Sequence, residues 1–246
     1  MANVKEESGN NSEKAPKASY QVGFWSAILT AVITAVTFGF AITAIPVSGA
    51  NCLENCVSYP YLNTLGQFPK DYRWMVLALF MVLSYLVLMV AIHALAPHQK
   101  KVFGQVGLTF ATIAALVLLT DYFLQFSVVP ISLMSGETEG ITLLTQYNAH
   151  GIFIVLEELG YIMMSFSFLF AALALTRESR QEKAAWWVFV VGFVLALVSL
   201  VIFAALFGLD RQDRYEVLVI SITWLVLIIN GILLGLAYKK KLNAAG

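Results

Sequence analysis

The fold of this chain is decided by apolar stretches such as residues 74–95, which read WMVLALFMVLSYLVLMVAIHAL. This stretch contains no acidic residue, no lysine and no arginine, and a helix needs about 20 apolar residues to cross a bilayer. Apolar side chains occupy all of its faces, whereas a barrel strand alternates apolar and polar residues. Because backbone groups in lipid must pair internally, we predict a transmembrane helix here.

Five other stretches have the same character, so we predict an all-α, polytopic membrane protein with six transmembrane helices. The predicted spans are residues 22–45, 74–95, 105–129, 150–175, 185–208 and 216–238. They form one transmembrane domain over 22–238, between a polar tail (1–21) that we expect to be disordered and a basic tail (239–246). The first span is longer than a usual signal-peptide core, so we expect it to be retained.

The composition of the chain excludes several classes of protein. Charged residues make up 12% of the 246 residues, about half of what a soluble domain carries. This amount cannot cover a water-facing surface, so a soluble enzyme and a disordered chain are excluded. The 15 basic and 15 acidic residues balance, so no positive field is present to hold a nucleic acid. The expected partners are membrane lipids, with a small solute or a cation.

Lysine and arginine are distributed unequally between the two sides of the predicted bundle. Eleven of them lie in the two tails and in the connections near residues 100 and 180, and four lie on the other side. The positive-inside rule therefore predicts cytoplasmic termini, a cell-membrane location and an extracytoplasmic 46–73 connection. This connection holds the two cysteines, Cys52 and Cys56, which we expect to form a disulfide in an oxidising compartment.

Three acidic residues are predicted to lie at one depth inside the membrane. Asp121 is eight residues from the end of the third span, and Glu157 and Glu158 are seven and eight residues into the fourth. At 1.5 Å per residue, all three are about 12 Å below the outer edge. Further polar residues accompany them on the same faces or line a path from this level: Gln125, His150, Tyr161, Trp224 and Asn230.

No lysine or arginine lies within any predicted span, so these carboxyls have no basic partner there. An ionised acid at mid-membrane costs about 2.5–3.5 kcal/mol, so three unpaired carboxylates cannot all remain charged in lipid. They share protons, face a water-filled cavity, or bind a cation such as H⁺, Na⁺, a divalent metal ion or a cationic substrate. Alternatively, Arg73 or Arg214 could reach inward and pair with one of them, and the cluster would then be structural.

Three functions remain open on this evidence. We prefer a protein that binds a proton, cation or small solute for transport or sensing, because a cation site needs fewer assumptions than a catalytic pair. The alternatives are an intramembrane acid–base enzyme acting on a lipid or isoprenoid and a structural or partner-binding protein. The pattern assigns no catalytic residue and predicts neither a cofactor nor a metal centre, since it offers no lysine for retinal and no paired histidines for haem.

Overall fold

The computed structural model describes residues 17–43 and 46–244. All regular structure in this part of the chain is helical, with no strand among the described residues, which confirms the predicted all-α class. The α-helices are α1 (Lys17–Thr43), α2 (Arg73–Leu95), α3 (Lys101–Ser127), α4 (Val129–Ser135), α5 (Ile141–Leu144), α6 (Ile152–Ala174), α7 (Arg180–Phe207) and α8 (Gln212–Ala244).

The long helices have the length and composition of membrane spans. Within residues 17–43 and 46–244, five continuous helical segments are long and apolar enough to cross a bilayer. The last of them, Arg180–Ala244, contains both α7 and α8, which a 3-10 turn at Gly208–Arg211 separates. The described part of the chain is therefore all-helical and contains several helices that could span a membrane.

Several helices extend beyond the boundaries predicted from hydropathy. Helix α1 begins at Lys17, so residues 17–21 of the tail expected to be disordered are helical. The rest of that tail, and the end of the first predicted span at Ile45, lie outside the described residues. Helix α8 continues to Ala244, so most of the predicted basic tail is helical as well. Lysine, leucine and alanine favour helix, and a helix does not have to end where its apolar stretch ends.

The long helices close into a ring. Each packs beside the next long helix along the chain, and α8 returns to pack against α1. Helix α6 also contacts α2 and α8, so it is the most central of the six. The α1–α8 contact is close: a Cβ atom added to Gly231 would lie only 2.5 Å from the Ala27 carbonyl oxygen. Small residues at such a contact allow membrane helices to approach each other.

The connections lie at the two ends of the bundle. At one end, which we call the cavity end, are the 46–72 loop, the 128–151 connection with α4 and α5, and the 3-10 turn before α8. Cys52 and Cys56 form a disulfide in the 46–72 loop. The loop is attached to α8 because the Ala50 N–H donates a hydrogen bond of 2.5 Å to Asp213 Oδ2.

At the opposite end of the bundle, side chains form hydrogen bonds to the free backbone groups of helix termini and an ion pair between helices. Ser179 and Glu182 form a capping box at the start of α7, which satisfies backbone N–H groups that have no partner within the helix. Glu182 also forms an ion pair with Lys241 of α8, in which Lys241 Nζ lies 2.7 Å from Glu182 Oε1. Lys100 donates to the carbonyl of Leu175 at the end of α6. These contacts join α7 to α8 and the start of α3 to the end of α6.

Candidate functional site

A cavity of about 480 Å³ opens at the cavity end of the bundle. It lies between the end of α1, the starts of α2, α6 and α8, and the 46–72 loop. Three acidic residues line it, together with the aromatic side chains of Phe38, Trp74, Tyr147, Phe153 and Trp224. The acidic residues are Asp71, Asp213 and Glu216, and none of the described lining residues is Lys, Arg or His.

The three carboxyls of the cavity differ in their hydrogen bonds. Asp71 accepts one from the Tyr147 hydroxyl at 3.3 Å, and Asp213 accepts the one from Ala50. Glu216 is only 9% exposed, and its side-chain hydrogen-bond partner among the described residues is another acid, Glu157. The Glu157 carboxyl lies beside it, and Asp213 and Glu158 add further negative charge nearby. Glu216 is therefore a buried acid that faces other acids.

The partner of Asp71 has a fixed protonation state. Burial, together with the neighbouring Tyr72 hydroxyl and Asp71 carboxyl, raises the pKa of Tyr147 above its ordinary value. The phenol therefore remains protonated at physiological pH and acts as a hydrogen-bond donor to Asp71.

A chain of hydrogen bonds leads from Trp224, one of the aromatic residues lining the cavity, to Glu157. The indole N–H of Trp224 donates to the Tyr161 hydroxyl at 3.0 Å, and the Tyr161 and Tyr122 hydroxyls are 2.7 Å apart. Tyr122 donates to Glu157 Oε1 at 2.6 Å, so Tyr161 must be the donor between the two phenols. The other oxygen, Glu157 Oε2, has no donor among the described residues. The Glu216 carboxyl lies beside the Glu157 side chain.

Asp121 and Gln125 lie behind the cavity on α3. The Asp121 carboxyl is buried within electrostatic range of Glu157 and Glu216, and its Oδ2 has no hydrogen-bond donor in the described part of the chain. Both amide atoms of buried Gln125 also have no partner there. The structure thus brings Asp121, Glu157 and Tyr161 together with Trp224, although only Trp224 of these lines the cavity.

Glu158 is not part of this cluster, because its carboxyl forms an ion pair. Arg211 Nη1 lies 3.0 Å and 3.1 Å from its two carboxyl oxygens. The arginine is therefore neither Arg73 nor Arg214, the two considered from the sequence. The 3-10 turn carries Arg211 over the start of α6, whereas the guanidinium of Arg214 lies 4.7 Å from the Phe207 ring.

His150 and Asn230 also lie apart from the cluster. His150 is an exposed residue whose Nδ1 is 3.1 Å from the Gln212 side-chain oxygen. Asn230 is buried fourteen residues beyond Glu216 on α8, which is about 21 Å along the helix. Its amide atoms have no partner among the described residues. Asn230 is not among the residues that line the cavity.

No family model, curated protein or solved structure matches this chain. What the site can do therefore follows from its own residues. No group of three or more His, Cys, Asp or Glu side chains in the described residues is arranged to hold a metal ion. The remaining features are an acidic, aromatic cavity and a buried proton-bearing network behind it.

Sequence reasoning missed the three acids that line the cavity. Asp71 lies in a connection and Glu216 is the first residue of the last predicted span, so neither counted as an intramembrane carboxyl. Asp213 and Glu216 are three residues apart, which places them on one helix face. That spacing beside an apolar stretch is the signal that could have identified Asp213 and Glu216.

Proposed function

We propose that the chain crosses the membrane six times, with both termini in the cytoplasm and the cavity open to the extracytoplasmic side. Helices α7 and α8 contain 28 and 33 residues, and either exceeds the roughly 20 needed for one crossing. They pack side by side across a short turn. The end opposite the cavity carries most of the basic residues, as the positive-inside rule requires of a cytoplasmic side.

We propose that this protein binds a cation or a small cationic solute that enters the cavity from outside, for transport or for sensing. The observation that supports this function is the Glu216 carboxyl, which lines the cavity, is buried, and has another acid, Glu157, as its hydrogen-bond partner among the described residues. Two adjacent carboxyls repel each other when both are ionised. A cation between them and the cavity relieves this repulsion, as a proton shared by the two carboxyls does in its absence.

The arrangement supports cation binding better than acid–base catalysis. A catalytic pair requires two groups within hydrogen-bond reach of the substrate. Glu157 has the ordered hydroxyl network that a proton-transfer residue needs, but it is fully buried and does not line the cavity. Glu216 therefore faces the ligand, and Glu157 holds a proton or a charge behind it.

The proposal is tested by ligand-induced stabilisation of the purified full-length chain in detergent. A ligand that binds the folded state alone raises its stability by about 2.7 kcal/mol at one hundred times Kd. We expect salts of organic and inorganic monovalent cations to raise the unfolding midpoint of the parent protein. Glu216→Gln removes the charge at the cavity and should abolish the increase while preserving the fold.

Glu137→Gln is the matched control, because it makes the same chemical change at an exposed residue outside the cavity. It should respond to cations as the parent does. The proposed function is wrong if no cation stabilises the parent, or if Glu216→Gln and the parent respond equally. Cation flux into vesicles containing the reconstituted protein then distinguishes transport from sensing.

A further inference from the structure

The size of the cavity restricts the ligands that the proposed site can hold. A volume of about 480 Å³ falls within the range of pockets that hold small organic molecules, about 300–1,000 Å³. A bare metal ion instead requires several oxygen atoms within about 2.0–2.6 Å. The described residues offer no cluster of that kind. The volume therefore suits a molecule with carbon substituents.

The charges of the lining residues determine which sign of ligand charge the cavity favours. Asp71, Asp213 and Glu216 line the cavity without a lysine, arginine or histidine among the described lining residues. The nearest ion-paired base, Arg211, is already engaged by Glu158. Lys70 is a cation near Asp71 but is not a lining residue. The lining itself therefore repels a phosphate or carboxylate and attracts a positive group.

The aromatic side chains add a second attraction for a positive group. The Trp74 and Trp224 ring centroids are 6.1 Å apart, and the Phe38 ring meets Trp224 edge-on at 5.7 Å. Trp74 is partly exposed, whereas Trp224 is buried behind it. The face of an aromatic ring attracts ammonium groups, and tryptophan does so most strongly. Phe153, Ile154 and Ile220 complete an apolar wall.

Resting on the proposed function, we propose that the ligand is an organic ammonium ion that carries apolar substituents. Its positive nitrogen lies between Glu216 and the ring of Trp74, and its carbon groups contact Phe153 and Ile220. Aromatic rings and a buried carboxyl that has only another acid beside it together recognise this class, because an alkylated ammonium needs charge and ring contact instead of many hydrogen bonds. A sodium ion or a proton cannot use the aromatic rings.

The test compares choline with 3,3-dimethyl-1-butanol, its uncharged carbon isostere, and with sodium chloride at equal ionic strength. Binding is measured by titration calorimetry on the full chain in a maltoside detergent, which has no choline headgroup. We expect choline to bind at least tenfold more tightly than either the isostere or sodium. Trp74→Leu should weaken choline binding about fivefold, and Trp74→Phe should restore part of the loss.

Trp187→Leu is the matched control, because Trp187 is 61% exposed and does not line the cavity. It should bind choline as the parent does, and circular dichroism establishes that every variant is folded. Equal binding of choline and its isostere, or an unchanged affinity in folded Trp74→Leu, overturns the ammonium assignment. If sodium binds as tightly as choline and Glu216→Gln abolishes both, the proposed function stands and this inference fails. If no cation binds, both fail.

Discussion

Two neighbouring glutamates of α6 have different surroundings although they are adjacent in the chain. Glu157 faces the bundle interior and accepts a hydrogen bond from Tyr122, whereas Glu158 is turned toward Arg211. Successive residues on a helix point about 100° apart, so two such acids cannot share one partner. Glu158 is therefore held in an ion pair with Arg211, and Glu157 remains beside Glu216.

Removing the arginine of this ion pair should destabilise the protein. In Arg211→Met, Glu158 would be left buried without a partner. Loss of one member of a fully buried pair costs about 3–5 kcal/mol. The Arg211 side chain is 26% exposed, so we expect about 1–3 kcal/mol, measured as the free energy of unfolding in detergent.

The double variant Arg211→Met, Glu158→Leu should recover most of this loss, because no unpaired charge then remains buried. If the two single changes are additive in the double variant, the ion pair does not hold the turn to α6.

The identity of this arginine could not be predicted from the sequence. The sequence suggested that Arg73 or Arg214 could pair with one of the carboxyls, but Arg73, Arg211 and Arg214 all lie near the ends of predicted spans. The choice depends on the 3-10 turn at Gly208–Arg211 and on the contact of Arg214 with Phe207. Local turn geometry of this kind has no signal in hydropathy.

Helices α1 and α8 pack through small residues instead of large apolar ones. Gly231 lies against Ala27 and Ala31, and Gly235 lies against Ile28. Lipid and leucine are equally apolar, so close packing drives the association of membrane helices. This contact closes the ring of helices, and its stability therefore depends on the absence of a side chain at Gly231.

Gly231→Ala should weaken this contact. The added methyl group would lie 2.5 Å from the Ala27 carbonyl oxygen, so the two helices would have to separate. Overpacking of this kind costs about 1–3 kcal/mol, which we expect as a lower free energy of unfolding.

Gly39→Ala is the control, because it makes the same change on α1 where no atom lies within 4 Å of the added group. It should be neutral or stabilise the protein by up to about 1 kcal/mol, since alanine favours helix. Equal effects of the two substitutions would contradict a tight α1–α8 contact.

Most of the elements could be predicted because hydropathy reports directly on burial in lipid. The apolar stretch at 74–95 and the helix Arg73–Leu95 agree to within one residue. Agreement is poorer at Lys17 and Ala244, where polar residues continue the helix past the apolar stretch. The short helices α4 and α5 are missing from the prediction, since they lie in a connection and carry no membrane-length pattern.

The bundle as a unit has two chemically different ends. The cavity, the disulfide and three acidic lining residues are at one end, and the Glu182–Lys241 ion pair is at the other. This asymmetry and the distribution of basic residues support one orientation in the membrane. The orientation can be examined without altering the cavity, because the two cysteines lie in the loop above it.

After mild reduction of intact cells, a membrane-impermeant maleimide should label Cys52 and Cys56, because we expect their loop to be extracytoplasmic. A variant with both cysteines replaced by serine and with Lys240→Cys should be labelled only after permeabilisation. Labelling in the reverse order would place the termini outside and contradict the proposed topology.

The closure of the ring between α1 and α8 also has a consequence for biosynthesis. A ribosome makes the first helix about two hundred residues before the last, and chains grow at about 5–20 residues per second. For that time, the Ala27 and Ala31 surface of α1 has no Gly231 to cover it. The complete circle of helices, and with it the walls of the cavity, can form only after translation has reached α8.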